Sequence, residues 1–64
     1  MNSNVKRFRS IYGASASISV MDDGMAHLTV YDWHGEMIID KDYKSERSAK
    51  IAMGKASDYW HEVK

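Results

Sequence analysis

Residues 14–20 have the sequence Ala-Ser-Ala-Ser-Ile-Ser-Val, an unbroken alternation of apolar and polar side chains. Because successive side chains of a strand point to opposite faces of a sheet, this pattern predicts a strand with one buried face. The turn-forming residues Asp22-Asp23-Gly24 follow, and the alternation resumes over residues 25–32. The sequence therefore predicts a β-hairpin around Gly24.

The alternation also predicts the length of this hairpin loop. A two-residue loop at Asp23-Gly24 would place Val20 opposite His27 and mix the two faces of the sheet. A three-residue loop, with Gly24 in a left-handed bulge, places apolar residues opposite one another on a single face. The apolar pairs are then Val20 with Ala26, Ile18 with Leu28, and Ala16 with Val30. We expect the three-residue loop.

A third strand is predicted by the same argument over residues 36–41. A four-residue loop at residues 32–35 places Val30 opposite Met37 and Leu28 opposite Ile39, which extends the apolar face. The other face is then polar apart from Tyr31 and Ile38, with serines on the first strand and no Arg or Lys. On that face His27 lies opposite Asp40, as an expected cross-strand charged pair.

From Ser45 onward the apolar residues recur at intervals of three and four, which is typical of a helix with one buried face. Ser45 is a favourable N-cap, and Glu46 suits the positive first turn. The apolar positions are Ala49, Ala52, Met53, Ala56, Tyr59, Trp60 and Val63. We expect a helix over residues 45–63 that covers the apolar face of the sheet.

The predicted fold class is therefore α+β, with one small domain over residues 1–64. A three-stranded antiparallel β-meander (residues 14–41) packs on one C-terminal α-helix (residues 45–63), in the order β-β-β-α. Residues 1–12 form either a further N-terminal strand or a basic arm with Phe8 and Ile11 against the edge of the core. The sequence does not distinguish these two alternatives.

Composition excludes several classes of protein. The 64 residues include nine basic and nine acidic side chains and no cysteine or proline, so a disulfide scaffold and a Cys-ligated metal site are excluded. No apolar run approaches the roughly 20 residues of a membrane helix. The first residues lack the pattern of a signal peptide. We expect a cytoplasmic protein that does not contact a membrane.

An enzyme is the least supported class of function. A chain of about 60 residues seldom encloses a water-excluding pocket. The sequence contains neither a phosphate-binding glycine motif nor a nucleophile motif, and its three histidines lack the spacing of zinc ligands. We therefore expect no catalytic residues, no cofactor and no bound metal.

A protein-interaction module is the favoured function, either an inhibitor or an adaptor. Trp33 and His34 lie at the tip of a predicted loop, within a region (residues 22–43) that carries six acidic residues and one basic one. Ile51 and Gly54 lie on the helix face away from the sheet, where they suit contact with a partner protein or with a second copy in a homodimer. The alternatives are that Trp33 folds back beside Trp60 and that Ile51 is an ordinary exposed residue. Accessory proteins of phages and mobile elements are similar in size and composition.

Nucleic-acid binding is the alternative function. Lys6, Arg7 and Arg9 are interleaved with aromatic residues in a segment without acidic side chains, and Tyr31 lies on the open sheet face. The layout is similar to that of the small β-β-β-α DNA-binding domains of plant transcription factors and phage integrases. The neutral net charge and the lack of basic residues on the predicted open face argue against this function.

Overall fold

Five antiparallel strands form one sheet, and a single helix packs on one of its faces. The computed structural model describes residues 5–63. The elements are β1 (Val5–Ser10), β2 (Ser15–Val20), β3 (Ala26–Tyr31), β4 (Met37–Tyr43), α1 (Glu46–Ala56) and β5 (Trp60–Val63). The strand order in the sheet is β4-β3-β2-β1-β5. The predicted α+β class is confirmed, but the sheet has five strands rather than three.

Within the predicted N-terminal segment, residues 5–10 form a strand and not an arm, and residues 1–4 lie outside the described part of the chain. β1 pairs with β2 so that Phe8 lies opposite Ala16, and the Phe8 ring is buried in the core. Ile11 does not pack on the core edge as predicted, because it lies in the loop after β1 and is 66% exposed. β1 covers the edge of β2, so the exposed edges of the sheet are those of β4 and β5.

The helix ends at Ala56, seven residues before the predicted end at Val63. Ser57 is extended, and Tyr59 adopts a left-handed backbone with φ of 58°. The chain thus turns back, and β5 pairs with β1. This pairing satisfies backbone groups along β1 that a longer helix would leave unpaired. As a result Tyr59 and Val63 are exposed and do not extend the buried helix stripe.

The core lies between the helix and one face of the sheet. Its buried members are Phe8, Ala16, Ile18, Ala26, Leu28, Val30, Ala49 and Met53. Ser45 is the N-cap as predicted, and its hydroxyl accepts a hydrogen bond from the Ser48 amide. At the other helix end, the Trp60 indole donates to the carbonyl oxygens of Met53 and Ser57 at 2.9 and 3.0 Å. Trp60 therefore satisfies carbonyl groups that a helix C-terminus leaves without partners.

The three hairpins that connect β1 to β2, β2 to β3 and β3 to β4 have loops of the same geometry. The loops are Ile11-Tyr12-Gly13, Asp22-Asp23-Gly24 and Trp33-His34-Gly35, and each glycine has a φ between 86° and 89°. In each loop the same two backbone hydrogen bonds join the flanking residues and the glycine. Positive φ favours glycine, which explains why the three glycines recur at intervals of 11 residues. This repeat was not among the features predicted from the sequence.

The predicted loop was correct for the β2–β3 hairpin and wrong for the β3–β4 hairpin. In the first, the three predicted apolar pairs are those observed. In the second, the loop has three residues rather than four, and Tyr31 rather than Val30 lies opposite Met37. A bulge at Ile38 then places Ile39 opposite Val30, so that the Ile39 side chain lies on the apolar face of the sheet.

Within residues 5–63, no helix is long and apolar enough to cross a membrane.

Candidate interaction site

The β1–β2 and β3–β4 loops lie side by side at one end of the sheet. A Cβ atom placed on Gly13 would lie only 3.1 Å from the Cβ atom of Trp33. Gly13 is therefore required for two reasons, its positive φ and the close approach of the neighbouring loop. Gly24 and Gly35 have the same backbone conformation but open space around them.

Aromatic side chains cluster around this contact. The rings of Tyr12 and Tyr59 have centroids 6.2 Å apart, and the Trp33 and His34 rings have centroids 3.6 Å apart with their planes tilted by 35°. Ile11, Tyr12, Trp33 and Tyr59 are 66%, 58%, 71% and 69% exposed. We call Ile11, Tyr12, Trp33, His34 and Tyr59 the aromatic end. Tyr12, Trp33 and Tyr59 together expose on the order of 300–500 Å², the size of the largest apolar patch on a typical soluble monomer, and such a patch is often functional.

Side-chain acceptors hold both loops of the aromatic end in place. The buried Ser10 hydroxyl oxygen accepts hydrogen bonds from the amides of Tyr12 and Ala14 at 3.2 Å. In the same position of the other loop, the Asp32 carboxylate accepts from the amides of His34 and Glu36 at 2.9 Å. Because these bonds order the backbone, the exposed rings project from a fixed scaffold.

Tyr59 reaches the aromatic end through an unusual backbone conformation. It is the only non-glycine residue with positive φ among residues 5–63. Such a conformation costs about 1–3 kcal/mol in a residue with a side chain, and strain of this kind concentrates at functional sites. The conformation places the Tyr59 ring beside Tyr12 instead of in the core.

The other two predicted protein-binding residues lie on a different surface. Ile51 is 55% exposed and borders a shallow groove of about 510 Å³ between the helix and β4. A Cβ atom on Gly54 would meet nothing within 4 Å, so packing does not explain this glycine. The structure therefore brings Trp33 together with His34, but it does not bring either to Ile51 or Gly54.

The open sheet face, opposite the helix, carries two of the three predicted basic residues. Arg7 and Arg9 line a groove of about 270 Å³ together with Tyr31. On the three predicted strands this face carries no Arg or Lys, as expected, but β1 joins the sheet and adds both arginines to it. Lys6 points to the helix side instead, where its ammonium group contacts the Glu46 carboxylate at 2.7 Å. This hydrogen bond raises the pKa of Lys6 and lowers the pKa of Glu46.

The acidic half of the open face is organised by His27. The histidine lies opposite Asp42 rather than Asp40 as predicted, because the shorter β3–β4 loop and the bulge in β4 each shift the register by one residue. Its two ring nitrogens contact the carboxylates of Asp42 and Asp40, each at 2.5 Å. The hydrogen bond to Asp42, followed in size by the one to Asp40, raises the pKa of His27, since both stabilise the imidazolium ion.

Among residues 5–63, no group of three or more His, Asp and Glu side chains has an arrangement that could hold a metal ion.

Sequence reasoning missed three members of the aromatic end, namely Ile11, Tyr12 and Tyr59. The signal for the first two was the 11-residue spacing of the glycines, because alternate hairpin loops of a meander lie at the same end of the sheet. Tyr59 could not be found in this way, since its position depends on where the helix ends.

No protein-family model matches the chain, and neither the curated proteins nor the solved structures provide a significant match.

Proposed function

We propose that the protein is a small non-enzymatic interaction module that binds a partner protein through its aromatic end. The observation that carries this proposal is the cluster of four large apolar side chains, each more than half exposed, around the Gly13–Trp33 contact. Tyr and Trp are enriched at protein interfaces because they combine a large apolar area with a polar atom. An inhibitor or an adaptor, of the kind that phages and mobile elements encode, would act in this way.

The loops do not need these side chains in order to fold. The β2–β3 loop has the same backbone conformation and the same closing hydrogen bonds, with Asp22 and Asp23 as its first two residues. There Asp23 accepts a hydrogen bond from the Met25 amide, a role that Ser10 and Asp32 fill from outside the other two loops. Aromatic residues at the equivalent positions of the other two loops expose apolar area to water without supporting the turn. Contact with a partner accounts for them, since their rings are buried only when another surface covers them.

The groove beside Ile51 is a second contact surface of the same proposed function. Glycine within a helix costs about 1 kcal/mol relative to alanine, and nothing in the packing requires Gly54. A partner whose backbone approaches the helix at this point would explain both the glycine and the exposed isoleucine. We expect the aromatic end to be the main contact surface, because more exposed apolar residues lie together there than beside Ile51.

The test compares capture of partner proteins by the wild type and by single variants. We expect Trp33→Ala or Tyr12→Ala to lower the affinity for a captured partner at least 30-fold, the effect of losing an interface hot spot of about 2 kcal/mol. Both variants should keep their stability to within about 0.5 kcal/mol, because the removed rings are exposed. Gly24→Asn, which changes the loop at the other end of the sheet and retains a residue that tolerates positive φ, is the matched control.

Two further measurements distinguish the surfaces and the partners. Ile51→Asp, measured against the same partner, reports whether the helix groove contributes. Light scattering over a range of concentrations tests whether the partner is a second copy of the chain, and a dimer that Trp33→Ala dissociates would assign the aromatic end to self-association. Unchanged affinity in the Trp33, Tyr12 and Ile51 variants would refute the proposed function.

A further inference from the structure

The groove on the open sheet face is chemically distinct from the aromatic end. It runs over β1 and β2 and extends to Tyr31 on β3 and Val63 on β5. Its volume of about 270 Å³ is below the roughly 300–1,000 Å³ of enclosed ligand pockets. A shallow groove of this size suits an extended chain with flat groups rather than a small molecule that must be enclosed.

Two arginines follow one side of the groove. Arg7 and Arg9 alternate with the buried Phe8, so both lie on the open face about 6–7 Å apart along the strand. Within residues 5–63, neither guanidinium group forms an ion pair or a side-chain hydrogen bond. Two cations in a row along a strand match a polyanion that runs parallel to β1.

A ring lies across the groove from these cations. Arg9 is opposite Ser15, and Ser15 is opposite Tyr31, so the three residues form one row across three strands. Ser15 and Ser17 have small side chains, which leaves space between the arginines and the tyrosine. A nucleobase lying over the serines would stack on Tyr31 while its phosphate contacts an arginine, which is how sheets bind single strands.

The charge on the far side of the same face disfavours a duplex. In the row that begins at Arg7, the last residue is Asp40, about 14 Å away over three strand spacings. Asp42 is also on β4, next to His27. A duplex on the sheet would bring phosphates over these carboxylates, whereas a single strand along β1 and β2 stays over the basic half.

We propose that this groove binds single-stranded nucleic acid, with phosphates on Arg7 and Arg9 and a base stacked on Tyr31. The proposal does not depend on the interaction through the aromatic end. It changes the residue set expected from the sequence, since Lys6 lies on the other face and is paired with Glu46.

The test is fluorescence anisotropy of a labelled oligo(dT) of about 12 nucleotides, within the site sizes of such grooves. We expect saturable binding at low salt that weakens as salt is added. In Arg7→Gln/Arg9→Gln, affinity should fall at least tenfold, and the slope of log K against log salt should become shallower by about 1.4. Tyr31→Leu should lower affinity at least fivefold through lost stacking.

A charge-matched control separates this site from general electrostatics. Arg47→Gln/Lys55→Gln removes two positive charges from the helix side, and we expect it to retain most of the affinity. Circular dichroism spectra should show that all variants remain folded. An equal loss in this control, or no binding by the wild type at low salt, would overturn the proposal.

Two other outcomes would also overturn it. Tighter binding of a duplex of the same length would contradict the assignment to single strands. A loss of affinity in Trp33→Ala as large as in the arginine variant would move the site to the aromatic end. Retained oligonucleotide binding in Trp33→Ala, together with lost capture of a partner protein, would show that the two surfaces act separately.

Discussion

The two ends of the sheet have loops with the same backbone but opposite chemistry. At one end Ile11-Tyr12-Gly13 and Trp33-His34-Gly35 form an aromatic surface, and at the other Asp22-Asp23-Gly24 forms an acidic one. All three loops share the glycine, the closing hydrogen bonds and a side-chain acceptor for the amide that follows the glycine. At the acidic end this acceptor is Asp23, within the loop, whereas at the aromatic end Ser10 and Asp32 supply it from the position before the loop. The two residues before the glycine therefore accept no hydrogen bond from the turn at the aromatic end, and we infer that their identity reflects what the surface contacts.

The largest expected effect tests whether the two loops of the aromatic end form one unit. Gly13→Ala should destabilise the protein by about 2–3 kcal/mol, because it adds contact with Trp33 to a left-handed backbone penalty of about 1–2 kcal/mol. Gly24→Ala at the acidic end should destabilise the protein by the backbone penalty alone, because no neighbouring atom lies near this glycine. Chemical denaturation of both variants measures the difference. Equal losses would show that the Trp33 loop moves aside freely.

The next effect concerns the side chains that hold the loops. Ser10→Ala should destabilise by about 1–3 kcal/mol, because it removes the acceptor of the buried Ala14 amide and of the partly buried Tyr12 amide. Asp32→Ala removes the equivalent acceptor where water can replace it, so we expect about 1 kcal/mol or less. Thermal unfolding of both variants tests this order, and a larger loss for Asp32→Ala would contradict it.

A smaller effect tests the strain at Tyr59. Tyr59→Gly relieves the positive φ, whereas Tyr59→Ala removes the same ring and keeps the strain. We expect the glycine variant to be more stable than the alanine variant by about 1 kcal/mol. If the Tyr59→Ala variant is as stable as the Tyr59→Gly variant, the backbone at this position is unstrained. Strain would then give no support for a functional role of Tyr59 at the aromatic end.

The smallest effect is a pH dependence at His27, near the acidic end. The pKa of His27 is raised in the folded state, so its contribution is complete below the unfolded pKa of about 6.5. The contribution is lost as the pH rises through the folded pKa. Because the pair with Asp42 and Asp40 is exposed, we expect a loss of at most about 1 kcal/mol. Denaturation at several pH values should show this loss in the wild type and not in His27→Gln; the same slope in both would assign it to another group.

Much of the fold was predictable because β2 and β3 have strict alternation. A shift of one residue would move every apolar side chain to solvent, so the pairing of Ile18 with Leu28 follows from the pattern alone. The pairing of β4 was not predictable in this way. The bulge at Ile38 breaks the alternation, and nothing in the local pattern locates it.

The site was only partly predictable. Trp33 and His34 were predicted as candidate site residues because they lie at a hairpin tip, and Arg7, Arg9 and Tyr31 because of their residue types. Their grouping was not found, because it depends on which strands are neighbours. Lys6 does not share a face with the two arginines, since alternation along β1 turns it toward Glu46.

Local patterns thus account for the α+β class, the β2–β3 hairpin, the start of the helix at Ser45 and the apolar face that the helix covers. These features rest on contacts between residues close in sequence, where periodicity and capping dominate. The end of the helix, β5 and the aromatic end depend on contacts between distant segments. The apolar spacing of residues 57–63 suits a helix, but the unpaired edge of β1 is satisfied only by a strand, and that long-range pairing brings Tyr59 to Tyr12.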